Sequence, residues 1–167
     1  MDKVPFTSFG EIMSYYGEVD PNKLDCIQAA HDIAEMVTSL GFKDSEILII
    51  YSPEGYMHPN PDELNFESES GAVEDWRLHV AVKLKDRVID PLAKGIIIRK
   101  DFSTYINNLL PAAVGNGKLF VFSMPADCFE FLTAPQESYS EINSATAFIG
   151  QMMNAGLPEE RTKTFEV

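Results

Sequence analysis

Cys26, His79 and Asp90 are the residues of this chain whose types and order could run a nucleophilic reaction. A deprotonated thiol is a strong nucleophile, an imidazole can take and return its proton, and a carboxylate fixes the imidazole tautomer and stabilises its charged form. Cys26 falls early in an apolar-periodic segment, where the unpaired N–H groups and dipole of a helix N-terminus favour a thiolate. The competing reading is a small hydrophobe, since free cysteines are among the most buried residues. His79 stands within Leu78–Val82, on the side opposite the apolar row Leu78, Val80 and Val82. With an even-length hairpin loop such as Lys85-Asp86, Ala81 lies opposite Asp90. His79 and Asp90 are then diagonal neighbours on one face, with Cα atoms about 7 to 8 Å apart. An odd-length loop or a bulge would change that register.

A small set of elements must position these groups. Ser8 and Glu11 fit a capping box opening a first helix that runs to about Tyr16. Asp20-Pro21, a cap followed by a first-turn proline, predicts a second helix. Its positions Leu24, Ile27, Ala30, Ala34 and Val37 make one buried stripe, and Gly41 closes it. Ile47–Tyr51 reads as a fully buried strand, Leu78 to Lys85 as a half-buried one, Asp86-Arg87 as a turn, and Val88 to Asp90 as the return strand, ended by Pro91. Between Ser52 and Asp75 the sequence is acidic and proline-bearing, which predicts a long functional or mobile loop. Gly95 to Ile98 and Lys118 to Met124 read as further strands, Phe102 to Leu110 and Glu137 to Asn154 as helices. The order predicts one α+β domain over residues 1–167, with a helix packed on a mostly antiparallel sheet.

Composition narrows the function classes. The 167 residues are 45% hydrophobic and 23% charged, enough to build a core without a metal or disulfide staple. Thirteen Lys and Arg against 26 Asp and Glu give a formal charge of −13. That argues against nucleic acid and against an anionic membrane surface, and it suits a protein partner with a basic patch. No apolar run reaches the ~18 to 20 residues of a membrane span, and the opening residues do not form a Sec signal peptide. The expectation is a chain that is cytoplasmic as synthesised, or exported by a route without such a signal. Two distant cysteines without a CxxC predict reduced thiols, and neither cysteines nor histidines have zinc-ligand spacing. No phosphate-binding glycine motif occurs, so no cofactor is expected. His31 reads as an exposed or capping residue, His58 as a solvated loop residue, and Cys128 as packed beside Phe129 and Phe131. The acidic run Asp62, Glu63, Glu67, Glu69, Glu74 and Asp75 reads as a solvated face.

A cysteine early in a helix, then a histidine on a strand, then an aspartate on the next strand resembles the papain-like and transglutaminase-like Cys-His-Asp superfamily. The residues that carry the resemblance are Asp25-Cys26-Ile27-Gln28-Ala29-Ala30 and the hairpin from His79 to Pro91, HVAVKLKDRVIDP. It covers about residues 20 to 92. Small size and the absence of a signal peptide are similar to bacterial effector-type protein-glutamine deamidases. The resemblance implies a papain-like fold with Cys26 as nucleophile, His79 as general base and acid, and Asp90 as its orienter. It also implies a thioester intermediate, with Trp76 and Asn22 near the substrate. No Gln precedes Cys26, so the amide that completes a papain-type oxyanion hole is missing, and Asn22 is the nearest upstream amide. The alternatives are a papain-like or NlpC/P60-like peptidase or amidase, and a non-catalytic acidic binding module of immunity type.

Overall fold

The aliphatic run that follows Glu46 forms β1, Glu46–Tyr51, buried along almost its whole length. β-branched side chains suit such a strand because their restricted χ1 fits the pleated surface. A computed structural model of the chain describes residues 8–16, 25–53, 56–65, 74–95, 97–98, 101–111, 118–136, 142 and 144–167. Five more strands appear in it: β2 Leu78–Leu84, β3 Arg87–Ile89, β4 Ile97–Ile98, β5 Phe120–Pro125 and β6 Lys163–Glu166. All pair antiparallel, in the order β4-β3-β2-β1-β5-β6. The helices are α1 Phe9–Tyr16, α2 Cys26–Ser39, α3 Phe102–Leu109 and α4 Ala145–Asn154, with a 3-10 segment at Ala126–Thr133. The chain is therefore α+β. Among the described residues no helix is long and apolar enough to cross a membrane.

The β2–β3 hairpin has an even, two-residue loop, but its turn is Lys85-Asp86 and not Asp86-Arg87, because Arg87 is already paired in β3. Leu84 pairs with Arg87, Lys83 with Val88 and Val82 with Ile89, leaving Lys85 and Asp86 as the turn. Lys85 takes the left-handed conformation, φ 57°, that such a tight turn asks of one central residue. One more step along this register sets Ala81 opposite Asp90.

β2 departs from the expectation of a half-buried strand. His79 is fully buried and Ala81 is 1% exposed, as enclosed as the apolar row on the other side. The cause is its interior place in the sheet and the helix laid over it. Residues paired directly across antiparallel strands share a face, so His79 lies with Ile50 and Val121, and Ala81 with Leu48 and Ser123. α2 packs on β2 and β1, and its other flank meets the 3-10 segment. Ala29, Ile33 and Met36 are buried in addition to the expected stripe of Ile27, Ala30, Ala34 and Val37.

α2 also begins later than the Asp20-Pro21 cap predicts. Its N-cap is Asp25, whose carboxylate accepts from the backbone N–H of Ile27 at 3.0 Å and of Gln28 at 3.1 Å. Asp20 and Pro21 lie outside the described residues, as does Leu24. At the other end Gly41 closes the helix as expected, with φ 83°. Its N–H bonds to the Thr38 carbonyl and that of Phe42 to the Val37 carbonyl, both at 3.1 Å, a Schellman motif. α1 begins after Ser8, whose hydroxyl accepts from the Glu11 N–H at 3.2 Å. α4 is shorter than expected, starting at Ala145 behind the cap Ser144, while residues 137–141 and 143 are outside the described set. β6 was not foreseen, because Lys163–Glu166 is short, exposed and without an apolar run.

A Cβ added at Gly41 would meet no atom within 4 Å, so Gly41→Ala tests backbone strain alone. It should lower the unfolding free energy by about 1 kcal/mol in urea titration. Gly41→Asn should lose less, since asparagine tolerates this conformation.

Candidate active site

Three elements bring Cys26, His79 and Asp90 to one place. Cys26 is the first residue of α2, 2% exposed. His79 sits near the start of β2 and Asp90 one residue beyond β3, both with no exposed surface. The His79 Nε2–H donates to Asp90 Oδ2 at 2.7 Å. The other ring nitrogen, Nδ1, is buried without an aligned hydrogen-bond partner. The Cys26 side chain nonetheless lies close enough to act on the ring both by hydrogen bonding and by its charge. Cys26 and His79 are therefore neighbours, and Nδ1 is the ring nitrogen that Asp90 leaves untaken.

The electrostatics of this pair are those of an ion pair held in the core. Burial by itself would lower the His79 pKa, but the Asp90 carboxylate, through its charge and its hydrogen bond, and Cys26 outweigh it. The result is a value of about 10. Burial likewise penalises the Asp90 carboxylate, yet the His79 charge, the bonds from His79 and Tyr105 and the Leu92 N–H bring its pKa below the usual value. Two of these donors were not legible beforehand. The Tyr105 hydroxyl, from α3, donates to Asp90 Oδ2, and the Leu92 N–H donates to Oδ1 at 3.0 Å. Tyr105 is buried and its own pKa is raised, first by burial and then by the Asp90 charge. The available signal was that a buried tyrosine needs a partner for its hydroxyl.

Trp76 is 3% exposed and stacks on the His79 ring, centroids 4.6 Å apart at 19°. It covers one face of the imidazole, where an aromatic ring attracts a cation and keeps water away. A short antiparallel bridge holds it there, with Met57 and Trp76 exchanging backbone bonds of 2.7 and 2.8 Å. On one side of this bridge Arg77 donates to the Tyr56 hydroxyl at 2.5 Å. On the other, His58 pairs with Asp75 at 2.5 Å. Asn22 lies outside the described residues.

Other candidates do not join this cluster. His31 is not exposed as expected: its ring meets Phe129 edge-on at 4.9 Å, because α2 is flanked by the 3-10 segment. His31, Asp32 and Glu35 are the group among the described residues whose ligand atoms lie close enough for a metal ion. Asp32, however, already accepts from Tyr16 and from Gln28 Nε2 at 3.1 Å. This second bond also turns the Gln28 amide along the helix. Cys128 is buried, as expected, and lies beside Asp127 and Arg161, with its thiol pKa raised chiefly by burial. Of the acidic run, Asp62 and Glu63 sit in a 3-10 turn capped by Asn60, and Glu67 and Glu69 lie outside the described residues.

No family model matches this chain, and no curated protein matches it as a relative.

His79 should be an imidazolium at neutral pH, visible in the 15N shifts of its ring, and should deprotonate near pH 10. Asp90→Asn should move that titration to lower pH. Because the folded value lies above the unfolded one near 6.5, His79 stabilises the fold fully below pH 6.5 and loses this contribution as pH rises through about 10. Asp90, with a lowered pKa, contributes above its unfolded value and loses this as pH falls. Tyr105→Phe should cost about 1 to 3 kcal/mol in denaturant unfolding, because it strips a donor from a buried carboxylate.

Proposed function

We propose that this chain is a papain-like cysteine hydrolase that acts on an amide and deamidates a glutamine side chain of a target protein. The observation that carries this reading is the buried Asp90–His79 pair, with the second ring nitrogen left toward a thiol at a helix N-terminus. A core has no structural need for a charged pair facing a thiol, and groups with strongly displaced titration cluster at functional sites.

The chemistry balances with these residues alone. The Cys26 thiolate attacks the carboxamide carbon, forming a C–S bond and an oxyanion. As the oxyanion collapses the C–N bond breaks, and His79 passes its proton to the departing nitrogen, which leaves as ammonia. Water then gives a proton to His79 and adds to the thioester carbon. The C–S bond breaks, leaving the thiolate and a glutamic acid side chain, whose proton passes through solvent to the released ammonia to give carboxylate and ammonium. The oxyanion sits beside the first turn of α2, where the Cys26 N–H is the donor to hand. Asp25 already occupies the N–H groups of Ile27 and Gln28, and the Gln28 side chain is held by Asp32. Asp90, bonded by Tyr105 and Leu92, keeps the imidazole oriented through both half-reactions. The acidic chain favours encounter with a target that presents a basic patch.

Within one molecule, iodoacetamide should alkylate Cys26 before Cys128, whose thiol is held protonated by burial, and His79→Ala should remove that preference. Ammonia released from glutamine-bearing basic proteins should vanish with Cys26→Ala and fall at least about a hundredfold with His79→Ala. Equal labelling of the two thiols, together with an unimpaired Cys26→Ala protein in its native setting, would sink the hydrolase reading and leave the acidic binding module.

A further inference from the structure

A recess of about 580 Å³ opens at the far end of α2 from Cys26. Fourteen residues separate the two ends of the helix, about 20 Å at 1.5 Å per residue. The recess is therefore not the thiol site. Its volume falls in the range of small-ligand sites, roughly 300 to 1,000 Å³. The floor is the sheet face that also carries His79: Ser123 and Lys163 stand directly opposite each other on β5 and β6, and Glu46 projects from β1 on the same side.

Two features mark the recess as built to receive something polar. Ser45, which lines it, is 5% exposed and its hydroxyl has no hydrogen-bond partner. An orphan buried hydroxyl lacks a bond that nearly all such groups make, and a ligand is one way to supply it. The second feature is charge. In a chain of −13, the walls carry three cations, Lys43, Arg161 and Lys163, against three anions, Asp44, Glu46 and Asp127. Arg161 and Asp127 neutralise each other, one guanidinium nitrogen reaching both carboxylate oxygens at 3.1 Å. What remains open to a ligand is two ammonium groups and the hydroxyls of Thr38, Ser45 and Ser123 on one hand, and two carboxylates on the other.

We propose that this recess binds a small zwitterion of amino-acid or dipeptide type. The ligand carboxylate is taken by Lys163 and Ser123, which share a cross-strand position, with Ser45 completing its hydrogen bonds. The ligand ammonium goes to Glu46, assisted by the negative end of the α2 dipole. A balanced lining selects against a dianion, which the surrounding acidic surface also repels. This site stands independently of the amide-hydrolase reading.

The test is calorimetric titration of the full chain with alanyl-alanine at pH 7 and fixed ionic strength. N-acetyl-alanyl-alanine, alanyl-alanine amide and inorganic phosphate serve as comparison probes. The dipeptide should bind saturably, each capped form at least about tenfold more weakly, and phosphate should not compete. Ser45→Ala and Lys163→Gln should each weaken the dipeptide about tenfold, whereas Cys26→Ala should bind it unchanged. Ser45→Ala removes a hydroxyl that the free protein leaves unpaired, so it should fold at least as stably as the parent, which urea titration checks. Absence of saturable binding, equal binding of the capped forms, displacement by phosphate, or unaltered affinity in both variants would overturn the proposal.

Discussion

A charged pair with no access to water, His79 and Asp90, sets the terms for the rest of this fold. Each ion loses several kcal/mol of hydration on burial, and their mutual attraction repays it only when the remaining hydrogen-bonding capacity is also filled. Asp90 fills it from three directions: β2 through His79, α3 through Tyr105, and the turn after β3 through Leu92. These elements are thus tied to one carboxylate, and displacing any one of them would strand a buried charge. The hairpin turn answers the same demand. A one-residue slip would carry His79 to the opposite face of the sheet, away from both α2 and Asp90. The left-handed Lys85 is the local strain by which the two-residue loop excludes that slip.

The pair also explains the choice of small residues beneath α2. A thiol on a helix meets an imidazole on the strand beneath it only where the side chains between the two elements are short. Ala29 and Ala30 on the helix and Ala81 on the strand are all buried. Their short side chains let α2 settle closely on β2. Ile33 and Met36, larger and also buried on the helix, keep the core filled. Apolar residues of equal volume in place of His79 and Asp90 would hold such a core at no lower stability. Folding alone does not account for the pair.

The register that joins His79 to Asp90 was legible because period-two alternation and a two-residue turn are local properties, written in Leu78 to Asp90 without reference to the rest of the chain. Gly41 was legible for the same reason, its left-handed cap being a demand of the helix end itself. What escaped was tertiary. The alternation in β2 also suits an exposed second face, and only the overlying α2 buries His79 and Ala81. Asp20-Pro21 and Asp25 are both acceptable helix starts, and in the described helix it is the Asp25 carboxylate that takes the first free N–H groups. Tyr105 carries no motif, since nothing local says that its hydroxyl will meet a carboxylate fifteen positions earlier. β6 is polar and four residues long, and it is defined by its pairing with β5 instead of by its own side chains.

The burial that strengthens the electrostatics of Asp90, His79 and Cys26 also encloses them. With Cys26 at 2% and His79 at 0% exposure, any molecule that approaches the sulfur must displace protein atoms. Trp76 is the aromatic cover placed directly over the imidazole, and its attachment is uneven. Its backbone is held by two short bonds to Met57. The flanking His58–Asp75 pair, by contrast, is exposed at 56% and 44%, and the Arg77–Tyr56 contact lies on the surface as well. Exposed pairs of this kind contribute little and are screened by salt. The hold of Trp76 on His79 therefore rests on ring stacking and on its own burial. The stacking strengthens when the imidazole carries its proton, because the indole face then meets a cation. Loss of that proton weakens the cover, so how tightly Trp76 encloses the imidazole is set by the same charge that Asp90 stabilises.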